Sequence, residues 1–490
     1  MLIKIRTDHP AGIKADILVL VACEDQAAYL DPQIQELADR APDWPEFAGK
    51  SGDELLIYEP QGVKAKRVLV LGVGKAASAD REELRKAAGR AVNRVLKSSL
   101  TSLLFCIPEV KNENIDRKAA AEALMEGAVL ANYRFDLYKK EKRHKPIKTI
   151  LFYADADFAG KARRLAEHAE LVCTGTLLAR DWVSMPPNDK RPARFARSIA
   201  KAAEKEPLET VVLDAGDLKK NRMHAMMAVS SGSSSRPQMV VLDHRPREYD
   251  KTVVLVGKGV TFDAGGINLK PAGSLESMKQ DMAGAAAVAA ALISAARTGY
   301  AQRLVGVIPL VENMPSGSAC RPGDIVKTAS GKTVEIGNTD AEGRMILADA
   351  LHYAISRYNP DVIIDMATLT GSCVVALGEN IAGVFSTDAA LAEQIAASGA
   401  KTHERCWSMP MPEDYRELLK SDFADIKNVG KNRYAGAIAA ALFLSEFTGK
   451  TPWAHIDIAG PAYASGGSDY CQPGGTGFGV RLLVDIIENL

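Results

Sequence analysis

The sequence predicts an α/β protein with two domains, the first built on a mostly parallel sheet and the second an α/β/α domain. Apolar runs of strand length alternate with longer helical segments along the chain, an order typical of parallel sheets covered by helices. The 490 residues are too many for one ordinary hydrophobic core. We place the first domain at residues 1–158, a linking helix at 159–180 and the second domain at 181–490.

Strand-like and helix-like segments alternate in the first domain. The predicted strands are Ile17–Val21, Arg67–Leu71, Ser102–Cys106 and Thr149–Tyr153. The predicted helices are Glu82–Lys97 and Ala119–Ala131. The linking helix is expected from Lys161 to Ala179, with Gly160 just before its start.

The same alternation continues in the second domain. The predicted strands are Thr210–Leu213, Met239–Leu242, Val253–Val256, Leu304–Ile308, Val362–Ile364 and His455–Ile458. The predicted helices are Asp281–Arg297, Arg344–Arg357, Leu391–Gly399 and Gly436–Thr448. Val253–Val256 is apolar throughout, which indicates a buried strand.

A glycine-rich turn follows a predicted strand of the first domain. Gly72 to Ala77 fits the pattern G-x-G-x-x-A of dinucleotide-binding enzymes, so an NAD-linked oxidoreductase is one alternative function. The acidic residue expected about 20 residues further on, at the end of a second strand, is missing. We therefore interpret the segment as a tight strand-to-helix turn.

Charge and composition limit the partners. Lys+Arg and Asp+Glu both number 61, so no global basic field attracts nucleic acid or a membrane surface. The longest nearly apolar run, Ala283 to Ala296, is too short to span a bilayer. The seven cysteines are scattered without any CxxC pair, which is typical of free thiols in a reducing compartment. We expect a cytoplasmic protein.

The most unusual segment runs from Asn338 to Arg344. Asp340, Glu342 and Arg344 stand at alternate positions, and in an extended segment their side chains would share one face. The two carboxylates would repel each other unless a cation lay between them. A metal ion, an anionic substrate group or both would satisfy this pattern.

A second polar cluster surrounds the strand Val253–Val256. Lys258, Asp263, Lys270 and Asp281 follow that strand on glycine-rich turns. Carboxylate oxygens suit divalent cations, and two cations can share bridging carboxylates. A single aspartate after a strand is more often a helix cap or a turn residue, but the combination favours a metal site.

These motifs carry a resemblance to a known family. The segments concerned are Pro186–Asp189, Lys258–Asp263, Met278–Gly284, Asn338–Arg344, Ala367–Gly371 and Trp453–Gly460. They resemble the two-metal leucyl aminopeptidases, also called cytosol aminopeptidases, from about residue 170 to the end. The N-terminal third resembles the family only weakly, at Tyr133–Asp136. The resemblance implies a macro-like N-terminal domain. It also implies an enzyme that releases N-terminal amino acids, leucine and other mainly apolar residues, from peptides by means of a two-metal-activated water.

The resemblance also implies a ligand set for two divalent ions, Zn²⁺ or Mn²⁺, with Mg²⁺ or Co²⁺ acceptable. One ion would be held by Lys258, Asp263, Asp281 and Glu342. The other would be held by Asp263, Glu342 and the side chain and carbonyl of Asp340. Lysine binds a metal only as the neutral amine, so the ions would have to depress the pKa of Lys258 strongly.

The remaining roles implied by the resemblance concern the substrate. Lys270 would stabilise the oxyanion, and Arg344 would hold a bicarbonate that acts as general base. Met278, Thr368 and Gly371 would line the pocket for the first side chain. The family also implies a homohexamer of two stacked trimers.

Two further alternatives stay open at this point. Some bacterial members of the family also bind DNA, although the zero net charge gives no support for nucleic-acid binding here. His352 and His455 fall near the motifs, and we interpret both as core or supporting histidines rather than metal ligands.

Overall fold

The computed structural model describes residues 2–39, 47–98, 100–109, 112, 115–142, 145–432 and 434–490. It divides into two compact units. The first comprises Met1–Thr174 with Gly466–Gln472, and the second comprises Gly175–Ser465 with Pro473–Leu490. Among the described helices, none is both long enough and apolar enough to cross a membrane.

The first unit is built on a six-stranded sheet. Its strands are β1 Leu2–Arg6, β2 Ile17–Ala22, β3 Glu54–Tyr58, β4 Arg67–Gly72, β5 Leu103–Cys106 and β6 Thr149–Tyr153. They lie in the order β1-β6-β5-β2-β4-β3, and all neighbours are parallel except the edge pair β3–β4. The mostly parallel sheet predicted for this half is confirmed.

Helices cover this sheet. They are α1 Pro32–Asp39, α2 Arg81–Leu96, α3 Arg117–Ala131 and α4 Ala156–Ser184, the last of which ends in the second unit; short 3-10 turns lie at Pro10–Gly12 and Ala76–Ser78. Asp80 and Asp116 begin α2 and α3 by accepting backbone hydrogen bonds from the first turn of each helix.

The glycine-rich turn after β4 does not have the surroundings of a dinucleotide site. A bound pyrophosphate needs free N–H groups and the positive end of the dipole at the start of the following helix. At α2 that end is occupied by Asp80, which accepts from Glu83 N, and Glu82 and Glu83 lie in the first turn. The geometry supports a tight strand-to-helix turn.

Helix α4 begins earlier in the sequence than predicted. It was predicted to start after Gly160, but it begins at Ala156 and contains that glycine. The start signal is Asp155, whose side chain accepts a hydrogen bond from Phe158 N. A glycine inside a helix costs about 1 kcal/mol relative to alanine, a cost that a helix of 29 residues tolerates.

The second unit is built on a nine-stranded mixed sheet and two small sheets. The strands of the large sheet are β7 Glu209–Leu213, β8 Gln238–His244, β9 Thr252–Gly257, β10 Gly259–Asp263, β11 Arg303–Asn313, β14 Val362–Ala367, β15 Ala382–Ser386, β16 Cys406–Ser408 and β18 Trp453–Asp457. Those of the small sheets are β12 Ile325–Lys327, β13 Thr333–Glu335, β17 Ile426–Lys427, β19 Tyr463–Ala464 and β20 Gly474–Gly475.

Ten further helices are described in this unit. They are α5 Pro192–Ala203, α6 Ala215–Lys220, α7 His224–Ser230, α8 Ala272–Leu275, α9 Ala283–Thr298, α10 Glu342–Tyr358, α11 Gly371–Leu377, α12 Ala389–Thr402, α13 Gly436–Ser445 and α14 Val480–Asn489. Short 3-10 segments lie at Pro187–Asp189, Met278–Gln280 and Glu413–Leu419. Helix α9 is buried along nearly its whole length, as its alanine-rich sequence allows.

The central strands of the large sheet place several polar residues at one edge of the sheet. Strands β9, β11, β14 and β18 are mutually parallel along the path β18-β14-β9-β11, and β10 pairs with β11 in the same direction. Parallel strands end on the same edge of a sheet, where α/β proteins bind their ligands. Lys258 follows β9, Asp263 ends β10 and Thr368 follows β14, so their backbones meet at that edge.

Helix α10 is anchored by a buried carboxylate two turns beyond its start. Asp349 is 0% exposed and accepts hydrogen bonds from Met226 N at 3.0 Å and Ala329 N at 2.7 Å. It thereby ties α10 to the first turn of α7 and to the loop between β12 and β13. Because α10 begins with Glu342, this anchor also fixes the position of that carboxylate.

We predict that Asp349→Ala lowers the free energy of unfolding by about 2 kcal/mol or more, because two buried N–H groups lose their acceptor. Urea unfolding followed by circular dichroism measures the change. The matched control is Asp414→Ala, which removes an exposed carboxylate. Equal midpoints for the two variants would show that the contacts of Asp349 contribute nothing.

Candidate active site

Lys258 lies between β9 and β10 at the centre of the polar cluster. Its side chain is 3% exposed, and its Nζ is 2.8 Å from Asp281 Oδ1 and 2.9 Å from Glu342 Oε1. It also donates a hydrogen bond to the Thr368 carbonyl at 2.8 Å. One ammonium group therefore joins the segments before α9, at the start of α10 and after β14.

Lys270 joins the other two carboxylates. Its Nζ is 2.8 Å from Asp263 Oδ2 and 2.7 Å from Asp340 Oδ1. The Asp263 side chain is 2% exposed, whereas Lys270 and Asp340 are partly open, at 17% and 31%. Lys270 thus contacts the cluster from the side that faces solvent.

Three of the carboxylates form a group that could surround a cation. One side-chain oxygen from each of Asp263, Asp340 and Glu342 lies within 4.8 Å of the others. Asp281 is connected to this group through Lys258. Asp281 Oδ2 and Glu342 Oε2 are buried and have no hydrogen-bond partner among the residues that the structure describes.

The charges of the cluster do not balance. Its members are the carboxylates Asp263, Asp281, Asp340 and Glu342 and the ammonium groups of Lys258 and Lys270. Two negative charges are therefore in excess in a largely buried place, where uncompensated charge is costly. Hard carboxylate oxygens with an excess of negative charge fit divalent cations.

Burial and the neighbouring charges shift the pKa values of the residues in the cluster. Burial raises the pKa of Asp281 well above its ordinary value, and Glu342 adds to the shift against the opposing charge of Lys258. Burial followed by the charge of Glu342 likewise raises the pKa of Asp263. Burial alone would lower the pKa of Lys258, but its carboxylate neighbours raise it above the ordinary value.

Two glycines make this close arrangement sterically possible. A Cβ on Gly343, in the first turn of α10, would lie 2.6 Å from Cε and 2.7 Å from Nζ of Lys258. Gly265 has a φ of +87°, and a Cβ there would lie 2.8 Å from Asp340 Oδ1. Side chains at these positions would displace Lys258 or Asp340.

The segment Asn338–Arg344 is not extended, which corrects the prediction that its three charged side chains share one face. Helix α10 begins at Glu342, after a turn in which Asp340 N bonds to Asn338 Oδ1. On a helix, residues two positions apart point in different directions. Arg344 accordingly does not line the cleft, and its Nη1 donates to the Asn428 carbonyl at 2.7 Å.

Arg344 is nevertheless buried, and not all of its N–H groups donate hydrogen bonds within the described residues. Its Nε has no hydrogen-bond partner among the described residues, and burial lowers the pKa of the guanidinium to about 10. In the part of the chain that is described, no carboxylate forms an ion pair with it. The guanidinium can still bind an anion.

Several supporting residues were not found from the sequence. Asn313, the last residue of β11, donates to Asp263 Oδ1 at 2.8 Å and to the Thr339 carbonyl at 3.1 Å. Asp457, the last residue of β18, accepts from Leu369 N and from the Thr370 hydroxyl, which fixes the loop after β14. Their position at the ends of two central strands is the signal that could have identified them.

An open cleft of about 530 Å³ gives access to the cluster. Met278, Thr368 and Gly371 line it, together with the apolar side chains of Leu369 and Val374. Thr368 Oγ1 donates to Asp281 Oδ1 at 2.8 Å. A Cβ on Gly371 would meet no atom within 4 Å, so the cleft is open there. The three pocket residues inferred from the motifs thus share one cleft.

The histidines lie where supporting residues are expected. His455, on β18, is 1% exposed, and its Nδ1 lies 2.6 Å from Asp365 Oδ1. His352 is half-buried on α10. Neither lines the cleft.

Known proteins match this chain along its whole length. Residues 177–484 match the model of the cytosol aminopeptidase family, catalytic domain, and residues 21–142 match the N-terminal domain of the same family. The chain is 41% identical over 495 residues to the probable cytosol aminopeptidase of Geobacter sp. (strain M21), with complete coverage of both chains. It is 40% identical to that of Roseiflexus castenholzii (strain DSM 13941 / HLO8), with 100% and 99% covered.

A solved structure shows the same architecture. The bottromycin maturation enzyme BotP in complex with Mn matches with a TM-score of 0.86 and 36% identity, covering 97% of this chain and 99% of BotP. The matches of both family models, and the identity over the full length of the curated relatives, leave one assignment: the chain belongs to the cytosol aminopeptidase family and is a metallo-exopeptidase.

Proposed function

We propose that this metallo-aminopeptidase releases leucine and other mainly apolar residues from the N-termini of peptides, using two divalent metal ions in the cleft. The observation that carries the proposal is the excess of carboxylates over ammonium groups beside an apolar cleft. An apolar wall favours aliphatic first side chains because it buries their surface. Leu369, Val374 and Met278 provide that wall.

The metal ligands follow the arrangement of the cluster. Lys258, Asp263, Asp281 and Glu342 would hold one ion; Asp263, Glu342 and Asp340 would hold the other. The buried oxygens Asp281 Oδ2 and Glu342 Oε2, which lack partners among the described residues, support this set. When bound, the ions would supply Lewis acidity toward water and the peptide carbonyl. Zn²⁺ or Mn²⁺ is proposed, and Mg²⁺ or Co²⁺ would also suit these oxygen ligands.

Lys270 would act on the substrate rather than on a metal. Both lysines line the cleft, but the side chain of Lys270 is 17% exposed, whereas that of Lys258 is 3% exposed. An ammonium group at that place can donate to the carbonyl oxygen as negative charge develops there. The carboxylates of Asp263 and Asp340 hold its Nζ in position.

Arg344 would hold a bicarbonate that acts as general base. The support is its buried Nε, which has no partner among the described residues. The Asn428 carbonyl fixes Nη1 and so orients the guanidinium fork, a geometry suited to planar anions.

We further propose a cytoplasmic homohexamer of two stacked trimers, without a membrane or nucleic-acid partner. Large apolar side chains exposed on the second unit support association, among them Trp407, Phe423 and Val375. None of the seven cysteines forms a disulfide, which suits a reducing compartment.

Removal of the metals should abolish peptide hydrolysis. Dialysis against a strong chelator is expected to remove two ions per chain and the activity together, and Zn²⁺ or Mn²⁺ should restore both. Elemental analysis and an assay on leucyl peptides with free and blocked N-termini measure this. A full rate in protein free of metal would rule out the two-metal proposal.

Lys270→Ala should lower kcat by roughly 10²–10³ with both metals retained, because one donor to the developing oxyanion is lost. Asp263→Ala is the comparison, since it removes a proposed bridging ligand and should lose metal. Steady-state kinetics and metal content measured on the same preparations separate the two effects. Equal metal loss in both variants would assign Lys270 to metal binding instead.

Gly343→Ala should weaken metal binding by about 10–100-fold, because the new Cβ would displace the Lys258 side chain. Metal titration of the chelated protein measures this without reference to activity. Gly160→Ala is the matched control, since a Cβ at that helical glycine meets no atom within 4 Å. Unchanged affinity in Gly343→Ala would show that the position of Lys258 does not matter for the metals.

A further inference from the structure

We propose that Glu379 forms a cation-binding subsite in the pocket for the first side chain, so that the enzyme accepts lysine and arginine as well as apolar residues. This inference rests on the proposed function and specifies its substrate class. Glu379 lies in the turn between α11 and β15, and it lines the same cleft as the polar cluster.

The charged groups that line the cleft fall into two sets. Six of them are the carboxylates and lysines of the cluster, and Glu379 is the seventh. Gly371 and Val374 of α11, the helix that precedes the turn with Glu379, line the cleft as well. Glu379 therefore belongs to the α11 side of the cleft, on a chain segment other than those that carry the proposed metal ligands.

The backbone around Glu379 is held firmly. Gly378 has a φ of +75°, a conformation that glycine adopts without strain. A Cβ on Gly460 would lie 2.4 Å from the Gly378 carbonyl oxygen and 3.2 Å from Glu379 Cα. The turn thus packs directly on the segment after β18, which also lines the cleft through Ala459 and Gly460. This contact fixes the position of the Glu379 Cα, from which the side chain extends.

The carboxylate of Glu379 is available to a ligand. It is exposed, and no hydrogen bond or ion pair to it is present among the described residues. The other carboxylates of the cleft contact Lys258 or Lys270. With two metal ions bound, those four would also face cations. Glu379 would then be the remaining negative group of the cleft able to pair with a substrate cation.

The apolar residues of the cleft suit a long basic side chain. Lysine and arginine bury their aliphatic stems on apolar surface while the charged end reaches a polar partner. Leu369 and Val374 offer such a surface, and Glu379 offers the partner. A leucine side chain would contact the same walls without using the carboxylate, and an acidic side chain would be repelled by it.

The test compares kcat/KM for lysyl, leucyl and glutamyl aminomethylcoumarin substrates in the metal-loaded wild type and in Glu379→Gln. We expect the lysyl-to-leucyl ratio to fall about 2–5-fold in the variant, the effect of losing one exposed ion pair. A ratio does not depend on the fraction of active enzyme, so partial misfolding cannot imitate the result. Glu393→Gln, an exposed change on α12, is the control and should leave the ratio unchanged.

Two further measurements test the electrostatic origin. Rising salt should lower the lysyl-to-leucyl ratio of the wild type but not that of Glu379→Gln. Glu379→Lys should raise the glutamyl-to-lysyl ratio above that of Glu379→Gln. An unchanged lysyl-to-leucyl ratio in Glu379→Gln, or an equal fall in Glu393→Gln, overturns the subsite while leucyl hydrolysis by the wild type stands. A metal-loaded wild type that cleaves none of the three substrates would instead contradict the proposed function.

Discussion

The candidate site of the second unit depends on one electrostatic constraint: four carboxylates converge on the edge of a buried sheet, where two ammonium groups oppose them. Lys258 is the central member, because it joins Asp281, Glu342 and the Thr368 carbonyl. Uncompensated charge of this kind is costly in a protein interior and is retained where a cation binds. The excess of negative charge is the physical basis of the proposed metal binding.

The surrounding fold keeps these charges together. Parallel strands end at one edge and bring Lys258, Asp263 and Thr368 within reach of one another. Helix α10 then places Glu342 against Lys258, and Gly343 leaves the space that the lysine needs. The polar cluster and several apolar residues line the same cleft. The residues proposed to bind metal are therefore in the same cleft as a surface that can accept an apolar substrate side chain.

Much of the site could be predicted from the sequence because its residues occur in short, dense motifs. The motif around Lys258 and the motif around Glu342 each contain several of the charged residues. Contacts between distant segments were not predictable in this way. Asn313 contacts Asp263, 50 residues away, and has no local signal stronger than a strand end. Asp457 contacts Thr370, 87 residues away, and although it lies in the motif Trp453–Gly460, that motif alone did not indicate this contact. Strands with strong apolar runs, such as β9 and β6, were found. The start of α10 was taken for an extended segment because charges at every second residue are the pattern of a strand.

The most direct test of the central claim is anomalous diffraction from crystals grown with Mn²⁺. We expect two anomalous peaks per chain, both contacted by Asp263 and Glu342, with Asp281 Oδ2 on one side and Asp340 on the other. The Lys258 ammonium group should then no longer pair with Asp281 and Glu342. No peak at the cluster, with the lysine–carboxylate pairs intact, would contradict the claim that the excess negative charge exists to bind metal.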